Sequence, residues 1–435
     1  MQGCWRALLF AALMVLAACT STPSGTKVTV NVADSQGNPV TGQAAAYQTG
    51  SGAWQALAPS GTGVYTFTVP SGETRYGVTI NCPTGLQASS MKATTYQATT
   101  TEATVLKVSC PLAFSGSVAK VSGSYNLSAV AGTSLGLYSD TGQKSFSGAT
   151  GPYETSSTLG GNRELVAIAK DVGGNYVGVK VIRSLNITAP IVVNINFTAA
   201  DVFATGVVND FSASVPTGFS PSFGSYFLSS SGAFTAFLDS TSATSGSYNK
   251  VPSTIPGDLH WVYASASGPG GRQVAQINVR ANPATESFAL PAPFPPSTTV
   301  AGAKLPTFPI GHLVSDPDFR GYAVLYLWEG LPGVTGGSSA IWQTFLSKGW
   351  IGSTTSYTLP DLTSLPGFGG AKPLSGEQAS YILGAFLSNQ GVATLLNSSP
   401  ASLGYSSGLL HPLYPPRVDG TDVRWALLSG NFTVP

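Results

Sequence analysis

The segment Lys27-Val28-Thr29-Val30-Asn31-Val32, followed by Asp34-Ser35-Gln36-Gly37-Asn38-Pro39-Val40, decides how the chain is read. Its valines take every second position, which puts them on one face of an extended strand and the polar residues on the other. Asp34, Gly37, Asn38 and Pro39 then supply the local hydrogen bonds and special backbone angles of a tight reversal. The same alternation returns in Val64-Tyr65-Thr66-Phe67-Thr68-Val69 and in Tyr76-Gly77-Val78-Thr79-Ile80. These are strands with one buried face, and they predict a layered all-β fold.

A strand, the turn D-x-x-G-x-P-V and then V-Y-x-F-x-V resembles the prealbumin-like or carboxypeptidase-regulatory-like β-sandwiches attached to many exported bacterial proteins. The resemblance covers about the first 85 residues of the mature chain and implies a sandwich without catalysis. Two later segments follow the same plan. Glu164 to Ala169 and Tyr176 to Val181 flank Gly173-Gly174-Asn175, and Leu259 to Ala264 and Gln273 to Val279 flank Gly268-Pro269-Gly270-Gly271. A further strand closes each unit: Val105–Cys110, Ile191–Phe197 and Ser287–Leu290. A spacing near that of immunoglobulin-like domains, about 100 residues, predicts tandem sandwiches at 27–112, 113–199 and 200–290.

Pro291-Ala292-Pro293-Phe294-Pro295-Pro296 reads as a semi-rigid linker over 291–298. A larger β-rich unit follows at 299–435, with strands at Tyr322–Trp328 and Val423–Leu428. Gln378 to Leu387 fits either a strand or a helical face, and Val392 to Leu396 reads as a short helix. Trp328, Trp342, Trp350 and Trp425 give this unit either a heavy core or an aromatic face that could stack on sugar rings.

The N-terminus carries a different message. Arg6, the apolar stretch Ala7–Ala18 and the small residues before Cys19 form an export signal, and the apolar stretch is too short for a permanent span. Leu16-Ala17-Ala18-Cys19 resembles the lipobox of bacterial lipoproteins. That resemblance implies cleavage after residue 18, acylation of Cys19 and a membrane as partner; several acyl chains anchor stably where one is marginal. Thr20, in place of the family's usual inner-membrane retention Asp, favours the outer membrane in a two-membraned organism. Residues 19–26 read as a tether.

Only 9% of the 435 residues are charged, against about 25% in ordinary domains. The 20 basic and 19 acidic residues form no long run, which argues against a nucleic-acid partner. Loss of Arg6 with the signal leaves 19 of each, a formally neutral mature chain. So few charges predict that sheet burial, rather than ion pairing, does most of the stabilising. With Cys4 removed and Cys19 acylated, Cys82 and Cys110 remain, and an exported pair reads as one disulfide worth about 3 kcal/mol.

Chemical motifs fail on context. Gly132-Thr133-Ser134-Leu135-Gly136 matches G-x-S-x-G but lies among strands with no helix after it. Asp316-Pro317-Asp318 and Asp419-Gly420-Thr421-Asp422 read as turns rather than calcium loops. His260, His312 and His411 are too scattered to suggest a metal, and no cofactor motif is present. His260 reads as a packed strand residue and the other two as loop residues. The expected function is a lipid-anchored cell-envelope protein with a structural, adhesive or ligand-binding role, without catalysis. The alternative is binding of carbohydrate or cell-wall glycan through the C-terminal tryptophans; another envelope protein is a further expected partner, and a secreted hydrolase is a weaker third reading.

Overall fold

The computed structural model describes residues 25–34, 37–82, 91–110, 118–139, 142–155, 158–203, 210–230, 235–329, 340–397 and 416–435. The export signal, Cys19 and His411 lie outside them.

Strand Gly25–Ala33 is the hub of the first sandwich. It runs antiparallel to Val64–Pro70, with Val30 opposite Tyr65, and parallel to Val105–Ser109, with Val30 opposite Leu106. Val28, Val30 and Val32 are almost fully buried against Val78 and Ile80 of the facing layer, Ala44–Thr49, Arg75–Asn81 and Met91–Thr99. The reversal after the first strand works as its composition requires: Asp34 accepts from the Asn38 backbone and side-chain amides at 2.9 and 3.0 Å, and Gly37 takes a φ of +88°. Pairing of Gly25 with Pro70 and Thr26 with Val69 starts the strand two residues inside the expected tether 19–26. Cys82 follows a strand of one layer and Cys110 a strand of the other; their disulfide, with Cα atoms 5.2 Å apart, joins the two layers.

The same topology recurs twice. Val121–Asn126 pairs antiparallel with Thr150–Glu154 and parallel with Ile191–Val192; Asp210–Ser214 does so with Ser245–Ser247 and Glu286–Ala289. Each faces a meander built on a long hairpin, Gly161–Lys170 with Tyr176–Ile187 and Leu259–Gly268 with Arg272–Arg280. The second unit also repeats the first turn: Asp171 accepts from Asn175 twice at 2.9 Å, and Gly174 has a φ of +81°. The fold is all-β, made of sandwiches, with short helices at Lys348–Ile351 and Val392–Asn397.

The sandwiches are not independent beads. The C-terminal strands Phe319–Glu329, Ala340–Ser347, Gln378–Ser388 and Asp422–Thr433 form the centre of a twelve-stranded sheet. On one side Asp422–Thr433 pairs with Arg272–Arg280 of the third unit, Trp425 opposite Ala275. On the other, Ala340–Ser347 lies parallel to Met91–Thr99 of the first unit, Phe345 opposite Tyr96. The chain therefore folds back, and its last segment fills the gap between its first and third sandwiches.

Two expected boundaries move. Phe294, in the expected linker 291–298, is 1% exposed and belongs to the core of the C-terminal strands, because the proline-rich segment lies on that sheet as a lid. Residues 200–203 stay with the second unit: Thr198 and Asp201 cap a 3-10 turn, and Asp201 pairs with Lys180 at 3.0 Å. Gln378–Ser388 is a strand, since Tyr381, Leu383 and Ala385 face the core under the lid while Phe386 faces the opposite cluster.

Candidate functional site

The tryptophans follow from this two-sided burial. Trp328 and Trp342 point into the core beneath the proline-rich lid and are 1% and 0% exposed. Trp425, 5% exposed, belongs to the cluster on the opposite side of the sheet. Trp350 is half-buried on its short helix, edge-on to Tyr357 at 5.9 Å. The four are divided between two faces and present no common indole surface, which removes the geometric basis for sugar stacking there.

Other motif residues have structural tasks. Ser134 opens the strand Ser134–Ser139, followed by another strand, so it forms no nucleophile elbow. Asp316 and Asp318 belong to a turn held to the last strand by Arg424, whose Nη2 lies 2.7 Å from Asp318 Oδ2. Asp419 Oδ1 accepts from the Ala281 amide at 2.8 Å. His312 lies in a loop, its Nε2 2.8 Å from the Ala292 carbonyl. His260 is 1% exposed, and its Nε2 accepts from the Val251 amide at 3.1 Å; burial, then the nearby Lys250 charge, push its pKa down to about 4. Among the described residues no group of three or more His, Cys, Asp or Glu is arranged to hold a metal ion.

Some of the scarce charges bridge junctions. Arg183 of the second unit reaches Glu164 at 3.1 Å within its own hairpin and Asp258 of the third unit at 2.6 Å. Asp258 is almost fully buried and also accepts the Ser230 and Ile255 amides, each at 2.9 Å. Arg280 links Glu286 at 3.1 Å and, across the seam to the last strand, Asp422 at 2.7 Å. At the other seam Glu102 accepts the Gly349 amide at 2.7 Å and the Ser347 hydroxyl.

A concave site opens where the second unit meets the third. Strand Gly161–Lys170 is buried on both faces: Leu165, Ala167 and Ala169 face their own sandwich, while Val166 and Ile168 pack on Phe227, Ala236 and Leu238. At the margin of this contact lies a cleft of about 450 Å³ lined by Tyr138, Gln143, Lys170, Tyr176, Tyr226 and Phe237. Its rings form a continuous wall. Tyr263 stacks on Tyr226 at 5.6 Å, Tyr226 meets Phe237 at 5.0 Å, and Phe237 meets Tyr176 edge-on at 6.0 Å. Lys170 Nζ lies 4.3 Å from the centre of the Tyr176 ring. All of these rings are half-buried, unlike Trp328 and Trp342. Sequence reasoning missed this wall because it sought tryptophans in one unit, whereas the rings come from strands of two units.

No protein-family profile and no curated protein matches the chain. Two solved structures overlap it loosely. With the Bacillus anthracis TIE protein the identity is 9% and the TM-score 0.16, over 61% of this chain and 50% of that one. With a streptococcal ancillary pilin the values are 8% and 0.13, over 61% and 98%. The chain spans about half the length of the TIE protein, and at these TM-scores neither likeness bears on function.

Proposed function

We propose that this chain is a lipid-anchored structural protein of the bacterial cell envelope, held at a membrane through acylated Cys19 and presenting a β scaffold without catalysis. The observation that carries the reading is the twelve-stranded sheet, which joins segments hundreds of residues apart into one hydrogen-bonded body. Its seams are fastened by the Arg280–Asp422 ion pair and by the hydrogen bonds that Glu102 accepts, and the second unit is clamped on by Arg183. A chain whose units are joined in this way is suited to carrying a surface, and the Leu-Ala-Ala-Cys segment at 16–19 supplies the attachment. Such a body projects from the membrane with its loops and sandwich faces available to another envelope component.

Anchoring is tested by expressing the full chain and its Cys19→Ser variant in a bacterial host fed labelled palmitate. The expected result is label and membrane sedimentation for the natural chain and loss of both for C19S. Equal sedimentation and equal lack of label in both would overturn the reading.

A further inference from the structure

We propose that the aromatic cleft between the second and third units is a saccharide-binding site, taking a pyranose segment of an oligosaccharide across the Tyr176, Phe237 and Tyr226 rings. This inference is independent of membrane anchoring.

Three observations carry it. An open groove of about 450 Å³ gives room for one or two sugar rings to lie against its walls. Its walls are rings with partly open faces, and a sugar offers an apolar C–H face that covers an aromatic ring without competing for hydrogen bonds. Its lining is also polar: Tyr138, Tyr176 and Tyr226 each contribute a phenolic hydroxyl, able to donate and to accept. Gln143 adds an amide and Lys170 a cation over one face of the Tyr176 ring, matching a ligand ringed with hydroxyls and favouring one with an acidic substituent.

Local sequence builds the wall. Gly224 lies beneath Tyr263, where a Cβ would come within 2.4 Å of the ring, so glycine lets Tyr263 lie flat and support Tyr226. Tyr226 and Phe237 are cross-strand partners on neighbouring strands, which fixes their spacing.

The test applies the mature chain to a printed array of neutral and uronic-acid-containing oligosaccharides, then titrates the strongest binders by calorimetry. Expected is binding to at least one pyranose oligosaccharide, with acidic members preferred. Tyr176→Ala and Phe237→Ala should each weaken it at least tenfold, and Tyr176→Phe, which keeps the ring, should weaken it only a few-fold. Trp350→Ala, distant from the cleft, should leave it unchanged. Thermal melting of every variant separates lost binding from lost fold, and Tyr176→Phe with Gln143→Ala serves should the alanine ring variants unfold. No binding to any printed sugar, or binding that survives both ring truncations, would overturn the proposal.

Discussion

The indole N–H of Trp342 donates to the hydroxyl of Thr95 at 3.0 Å, across the parallel junction between the C-terminal strands and the first sandwich. The residues are separated by 247 positions, and both are fully buried. Thr95 in turn donates to Thr79 at 2.9 Å, so three side chains on adjacent strands form one hydrogen-bonded row through the seam.

Removing the middle member of that row should be costly. Thr95→Val keeps the shape but leaves a buried indole N–H without an acceptor, and we expect a loss of about 1–3 kcal/mol in denaturant unfolding. Thr79→Val, at the end of the row, should cost less, because Trp342 keeps its acceptor. Equal losses would mean that the row contributes nothing beyond packing.

The Arg183–Asp258 pair should behave as a clamp. Asp258 is almost fully buried, so Arg183→Ala leaves a charge inside the contact between the second and third units, at a cost of about 3 kcal/mol. Limited proteolysis should then cut the second unit faster than the rest. Asp258→Asn should lose less, since the amide oxygen still accepts one of the backbone amides that meet Asp258.

Acid should weaken the third unit through His260. In the unfolded chain its pKa returns to about 6.5, whereas burial holds it near 4 in the folded one. Between these values the unfolded chain binds a proton that the folded chain does not. Its contribution is complete above about pH 6.5 and is lost as pH falls toward 4, by roughly 3 kcal/mol. Unfolding curves of wild type and His260→Gln, compared from pH 7 to 4.5, should converge as pH falls; a constant gap would show that His260 titrates normally.

Reduction should loosen the first sandwich. The Cys82–Cys110 bridge spans 28 residues, and paired replacement with alanine should lower stability by roughly 3–4 kcal/mol. A melting temperature unaffected by reductant would contradict the layer-joining role.

Much of the local structure was legible. The valines of 28–32 and the Asp34 turn describe their strand and reversal completely, and Asp171-x-x-Gly174-Asn175 repeats the turn in the second unit. The junctions were not legible, because strand pairing depends on backbone groups, and nothing in Met91–Thr99 specifies a partner at 340–347. One signal was present. Tyr322–Trp328 is apolar at every position, as a strand covered on both faces must be, and that pattern fits the middle of a large sheet better than a layer of a small sandwich. The same double burial hid the fate of the tryptophans, since either face of such a strand is core. Two ion pairs, Arg183–Asp258 and Arg280–Asp422, cross between units, where a partly buried pair counts for more than one on an open surface, and the low overall charge gave no hint of them.

The continuity of the twelve-stranded sheet is tested most directly by hydrogen–deuterium exchange of the intact chain, followed peptide by peptide. Amides of 91–99, 340–347, 378–388 and 422–433 should form one slowly exchanging group that opens together, and Thr95→Val should accelerate 91–99 and 340–347 in parallel. Exchange of 91–99 with the first sandwich alone, at a rate unrelated to that of 340–347, would contradict the single joined body.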